Sequence, residues 1–156
     1  MRQESADKAG VVAPPPLIYA IAFLAGVLLN VRKPLPFLPS PLRYILGALL
    51  VGTAGTVVFL SVSEMREAGT NVNPEQPTTA LIVKGPYQFT RNPIYVSLTL
   101  LYTGLATLAN TLWAILLLPV VLLIMQRGVI EREERYLENK FGDRYTQYKA
   151  QVRRWV

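Results

Sequence analysis

From position 94 to position 125 the chain is almost wholly apolar. As one α-helix this run would extend about 48 Å, whereas the hydrocarbon core of a bilayer is roughly 30 Å thick. It must therefore fold back on itself, and Asn110, between Ala109 and Thr111, is the polar residue placed to make the turn. Two spans result, 94–108 and 112–126, joined by a tight hairpin. Both are short for a full crossing, which predicts a thinned bilayer or partial exposure. Pro119 predicts a kink in the second.

The rest of the chain agrees with a membrane protein. Of its 156 residues 51% are hydrophobic and only 17% charged, unlike an ordinary soluble domain. A polar N-terminal tail over 1–13 is expected to fray. Pro14-Pro15-Pro16 stiffens the entry to a first span over 17–31, read as a retained helix because a basic lead and a small-residue cleavage site are both missing around it. The proline-rich stretch 32–41 is a turn. A second span follows over 42–62, in which Gly47, Gly52 and Gly55, with Ala48 and Ala54, predict a small face for close helix packing. Glu64, Arg66 and Glu67 continue that helix out of the bilayer.

The connection 63–92 is long for so small a protein; such connections are usually functional or disordered, and its spacing of aromatic, proline and charged residues argues against disorder. Within it Asn73-Pro74-Glu75-Gln76-Pro77 marks a turn, and Leu81-Ile82-Val83 is a short apolar patch fitting either a strand fragment or a dip into the interface. Asn92 is a suitable N-cap and Pro93 suits the first helical turn, where its missing N–H costs nothing. Arg91 and Asn92 then stand at the positive end of a membrane helix, a favourable place for an anion. The competing reading makes Arg91 an interfacial anchor and Tyr87 and Tyr95 members of an aromatic belt.

Beyond Gln126, helical spacing puts Arg127, Ile130, Glu134, Leu137 and Phe141 on one face. A carboxylate within that apolar stripe is costly unless paired or at work; the plainer reading is a salt bridge tying the tail to the 63–92 loop. Arg132, Arg135 and Glu138 point elsewhere, as a solvated face. Gly142 is expected to stop this helix and Asp143 to cap another, whose Tyr145, Tyr148 and Val152 form an amphipathic side suited to the membrane surface.

Charge and residue types bound the chemistry. There is no cysteine and no histidine, which removes disulfides, thiolate nucleophiles, the usual metal ligands and any Ser-His-Asp arrangement. The net charge of +6 comes from residues flanking apolar spans, so lipid head groups, not nucleic acid, are the expected partner. With four spans, only Arg32, Lys33 and Arg43 of the 16 Lys and Arg lie on one side. The excess on the other side places both termini and both polar clusters in the cytoplasm. The expected architecture is an all-α integral membrane protein of about four transmembrane helices with a cytosolic helical tail, forming one domain over 1–156.

The segment Lys84-Gly85-Pro86-Tyr87-Gln88-Phe89-Thr90-Arg91-Asn92-Pro93-Ile94-Tyr95 is followed by two apolar spans. Then come Glu133-Glu134-Arg135-Tyr136-Leu137 and Lys140-Phe141-Gly142-Asp143-Arg144-Tyr145, with Tyr148 and Val152 beyond. Together these resemble the isoprenylcysteine carboxyl methyltransferase and phospholipid methyltransferase superfamily, integral membrane enzymes that use S-adenosylmethionine. The resemblance covers 84–155. It implies that this half holds the cofactor, with Gly85, Tyr87, Arg91, Asn92, Pro93 and Tyr95 on one side and Glu133 and Glu134 on the other. Many members carry histidine where this chain has Asn92, which keeps a hydrogen-bonding side chain but not a titrating one.

On this reading Arg91 or the helix N–H groups hold the cofactor's carboxylate, a glutamate its ammonium or ribose, and Tyr87 and Tyr95 wall its sulfonium or adenosine. Arg127 orients an anionic acceptor, and Glu134 or water takes the proton of an ammonium acceptor. The acceptor is lipophilic and enters from the bilayer; no metal is expected. Two other classes compete: a nicotinamide-dependent reductase of the sterol reductase type, and a non-enzymatic membrane scaffold.

Overall fold

The computed structural model describes residues 9–156, so Arg2 and Lys8 of the N-terminal tail lie outside the described residues. Among the described residues all regular structure is helical: α1 (Pro15–Arg32), α2 (Ser40–Glu67), α3 (Pro93–Leu108), α4 (Leu112–Met125), α5 (Glu131–Phe141) and α6 (Asp143–Gln151). A single 3-10 turn, Gly85–Gln88, precedes α3, and a π-helical turn, Gln126–Ile130, joins α4 to α5. Among the described residues α1, α2 and the continuous helix that begins at Leu112 and runs through the π turn are long and apolar enough to cross a membrane, and α3 is a shorter apolar one. Many large apolar side chains point outward, among them Leu24, Leu28, Leu49 and Phe59. That is the arrangement expected when lipid is the solvent. The chain is an all-α integral membrane protein.

The helices pair as α2 with α3 and α1 with α4, while α1 also rests on α3. Two glycine contacts set these approaches. A Cβ on Gly47 would lie 2.5 Å from Leu108 of α3, and one on Gly26 would lie 2.7 Å from the Ala114 backbone of α4. Small residues let helix backbones close up in this way. The small face expected on α2 is narrower than its composition suggests. Gly47 and Ala54 are buried, but added Cβ atoms on Gly52 and Gly55 would meet nothing within 4 Å, and Ala48 is exposed. Gly, Ala and Thr are distributed around α2, and only the side facing α3 is used.

The core joins Tyr19 of α1, Tyr95, Tyr102 and Ala106 of α3, and Ala114, Val121 and Met125 of α4. Its polar atoms are matched internally. Tyr19 and Thr99 share a 2.7 Å hydrogen bond and Tyr102 donates to the Ala114 carbonyl at 2.7 Å, as burial in hydrocarbon requires.

At the end of the bundle away from the long connection, Asn110 makes the predicted turn with a positive φ of 50°. Its side chain does more than the sequence suggests. Oδ1 accepts from the backbone N–H groups of Phe37 and Leu38, each at 3.0 Å, and Nδ2 donates to the Leu38 carbonyl at 2.9 Å. The two hairpin turns, α1–α2 and α3–α4, are thereby tied together.

At the opposite end α4 runs unbroken through Pro119 into the π turn. Residues 9–13, the end of the stretch expected to fray, are held here. Val12 N–H donates to the Gly128 carbonyl at 3.1 Å, and Arg132 donates to the Gly10 carbonyl at 2.8 Å. A widened turn leaves backbone groups for such outside partners. Gly142 ends α5 with φ 53°, but Asp143 is the first residue of α6 and makes no side-chain cap.

Candidate active site

A cavity of about 600 Å³ lies at the end of the bundle that carries the long connection. One part of its wall is polar and aromatic, with Tyr87, Arg91, Asn92, Tyr95, Glu133 and Glu134. The other part is apolar, with Pro14–Pro16 at the start of α1, Val58 and Met65 on α2, and Leu98 on α3. The apolar patch of the connection is not a strand; Leu81 and Ile82 have no regular secondary structure and line this cavity. The connection closes on itself where Thr70 Oγ1 accepts from Thr79 N–H at 3.0 Å.

The two polar segments are brought together by the fold-back of α3 and α4. Tyr95, in the first turn of α3, donates to Glu133 Oε1 of α5 at 2.5 Å. Burial pushes the Glu133 carboxyl up to about 7, and neighbouring Glu134 adds to the rise while the Tyr95 hydrogen bond opposes it. Glu134 is differently placed. Arg154 Nε reaches its Oε1 at 2.9 Å and Arg154 Nη2 its Oε2 at 2.6 Å, a bidentate pair. Arg91 Nη1 lies 3.2 Å from Oε1 on the other side. The plainer sequence reading of Glu134, an ion pair between tail and loop, is thus what the structure contains. Its partners extend to a residue that helical spacing does not identify.

Arg91 is nearly enclosed, with 8% of its side chain exposed. Its Nε and Nη1 are buried without a hydrogen-bond acceptor. Leaving charged donors unmatched is costly, so this guanidinium is suited to an incoming anion. Pro93 opens α3 as expected. Asn92 occupies the N-cap position without capping; its Nδ2 instead donates to the Arg154 carbonyl at 2.8 Å.

Three further expectations are revised. Arg127 is exposed and off the cavity wall. It sits in the π turn, whose i to i+5 bonding changes the angular register on which the α-helical stripe depended. Gly85 is also off the wall. It opens the 3-10 turn with a positive φ of 57°, and a Cβ there would meet Glu64 Oε1 at 2.9 Å. Tyr145 and Tyr148 do not lie on a membrane surface. They turn inward onto the cavity, with Tyr148 donating to the Tyr87 carbonyl at 2.6 Å. Burial raises the hydroxyls of Tyr87, Tyr145 and Tyr148, Tyr145 to about 12, so all three are neutral at physiological pH.

The tail after α6 is the part that sequence reasoning missed. The Arg153 carbonyl accepts from Arg91 N–H at 2.9 Å, and the Arg154 carbonyl accepts from Thr90 Oγ1 at 3.1 Å as well as from Asn92. Trp155 Nε1 donates to Gln126 Oε1 at 3.0 Å. The only available hint was a cluster of arginine and tryptophan after the last helix. Among the described residues no group of three or more acidic side chains is arranged to hold a metal ion.

The Arg91–Tyr95 and Glu133–Glu134 segments of the site lie within a stretch shared with known proteins. The phospholipid methyltransferase family matches residues 42–144, from the first turn of α2 to that of α6. An uncharacterized protein of Haemophilus influenzae (strain ATCC 51907 / DSM 11121 / KW20 / Rd) is 44% identical over 68 residues, covering 40% of this chain and 100% of that protein. No solved structure matches the chain. With two apolar spans bringing the Arg91–Tyr95 and Glu133–Glu134 segments to one cavity, the chain belongs to the phospholipid methyltransferase family.

Proposed function

We propose that the protein is an S-adenosylmethionine-dependent methyltransferase acting on a lipophilic acceptor drawn from the bilayer. The observation that carries this reading is the cavity between the start of α3 and the Glu133–Glu134 face, acidic and aromatic on one side and apolar on the other. A pocket of this size with few polar groups is the usual form of a small-molecule site.

When bound, S-adenosylmethionine supplies a methyl group already activated on a sulfonium. The chain's tasks are alignment, water exclusion and electrostatic matching. Arg91, with its unmatched N–H groups, suits the carboxylate. Glu133 suits an ammonium or ribose, and the rings of Tyr87 and Tyr95 suit a cationic sulfur. Glu134 has both oxygens engaged, so Glu133 is the carboxylate free to take a proton from an ammonium acceptor. A carboxylate acceptor would need no base.

The acceptor's apolar part has an identifiable route. α1 and α2 are each laid on α3 instead of on each other. The apolar wall runs from Pro14–Pro16 to Val58 and Met65 across this gap, with Leu98 beneath. An acyl or prenyl chain would enter there. The excess of basic residues at this end supports a cytoplasmic site.

Thermal unfolding of the purified protein with each cofactor tests the reading. Stabilisation by S-adenosylmethionine is expected; stabilisation by a reduced nicotinamide cofactor alone would replace it with a reductase. Membranes incubated with radiolabelled methyl donor would then show which lipid or peptide fraction gains the label.

A further inference from the structure

The pairing around Glu134 is lopsided. One carboxylate faces two guanidiniums, and the two are used unequally. Arg154 takes both oxygens through Nε and Nη2. Arg91 stays within 3.2 Å of Oε1, yet its Nε and Nη1 make no hydrogen bond. Arg91 lines the cavity, whereas Arg154 does not. Other charges nearby do not alter this division. Glu131 lies 4.0 Å from Arg154 Nη1 with 39% of its side chain exposed, where solvent screens it. Tyr145, a neutral hydroxyl, shares a side-chain hydrogen bond with Arg91 but brings no charge to it.

We propose that Arg154 is a positioning residue that occupies Glu134 and thereby keeps the Arg91 guanidinium available for the carboxylate of the cavity ligand. Without Arg154, Glu134 would turn both oxygens to Arg91, since a planar fork meets a carboxylate best in two parallel bonds. The unmatched Arg91 N–H groups would then be taken up by Glu134 and no longer face the cavity. The backbone of the same residue works in the same direction, because its carbonyl fixes Thr90 and Asn92 on either side of Arg91.

This inference rests on the cofactor reading, so the test separates the two. Affinity for S-adenosylmethionine and for its decarboxylated analogue is measured in the parent protein and in Arg154→Gln and Arg154→Lys. The parent is expected to favour the carboxylate-bearing form by on the order of tenfold or more, the usual worth of a hydrogen-bonded charge. Arg154→Gln should bind that form more weakly by a similar factor and the analogue almost unchanged, with kcat altered much less than KM. Arg154→Lys should recover part of the preference. Equal weakening towards both compounds would mean general damage to the tail and would overturn the positioning role alone. Failure of the parent to bind either compound would overturn the cofactor reading and this inference with it.

Discussion

Replacing Asn110 tests whether the two hairpin turns are tied as described. Its side chain makes three hydrogen bonds to residues 37 and 38 of the other turn. At a net worth of about 0.5–1.5 kcal/mol each, they contribute roughly 2–3 kcal/mol in this half-buried setting. The residue also has φ 50°, which costs an ordinary side chain about 1 kcal/mol more than it costs asparagine or glycine. Asn110→Ala should therefore lose about 3–4 kcal/mol. Asn110→Gly should lose about 1 kcal/mol less, because it relieves the backbone but not the missing bonds. Asn110→Asp keeps the acceptor for both N–H groups and should be mildest. For a chain of this length the alanine variant should melt roughly 10 °C lower in detergent micelles. Alanine and glycine variants melting with the parent would refute the tie, and glycine melting below alanine would refute the backbone part.

Further outcomes follow from the cavity and the helix contacts. Glu134→Gln leaves two guanidiniums facing a neutral amide, so it should destabilise by about 3 kcal/mol, the low end for a broken buried pair because Arg154 is 29% exposed; Glu133→Gln should sharply lower methyl transfer to an ammonium acceptor while melting no lower than the parent at neutral pH. The Glu133 carboxyl, raised to about 7, binds its proton more tightly folded than unfolded. Stability should accordingly decline as pH rises from about 4.5 towards 7, and melting curves of Glu133→Gln should lack that slope. Gly47→Leu must displace Leu108 and should cost about 1–3 kcal/mol, whereas Gly52→Ala, with nothing within 4 Å, should be neutral or slightly stabilising in the same melts.

The apolar run after Asn92 is too long for one crossing, and that alone dictated the fold-back, the turn at Asn110 and the approach of two distant polar segments. Periodicity and turn chemistry are local properties, so the helix ends at Arg32, Pro93 and Leu108 could be read from them to within a residue or two. The division of labour within the site could not. Glu133 and Glu134 are neighbours in sequence, yet one meets Tyr95 and the other two arginines, because successive residues of a helix point about 100° apart. Arg127 fell away from the wall because a π turn changes register without marking the composition. Arg154 reaches Glu134 and Asn92 from 20 and 62 positions away. A contact made by a chain returning after its last helix leaves no repeat in the sequence. Only the folded arrangement of the helices decides which arginine is consumed by Glu134 and which is left facing the cavity.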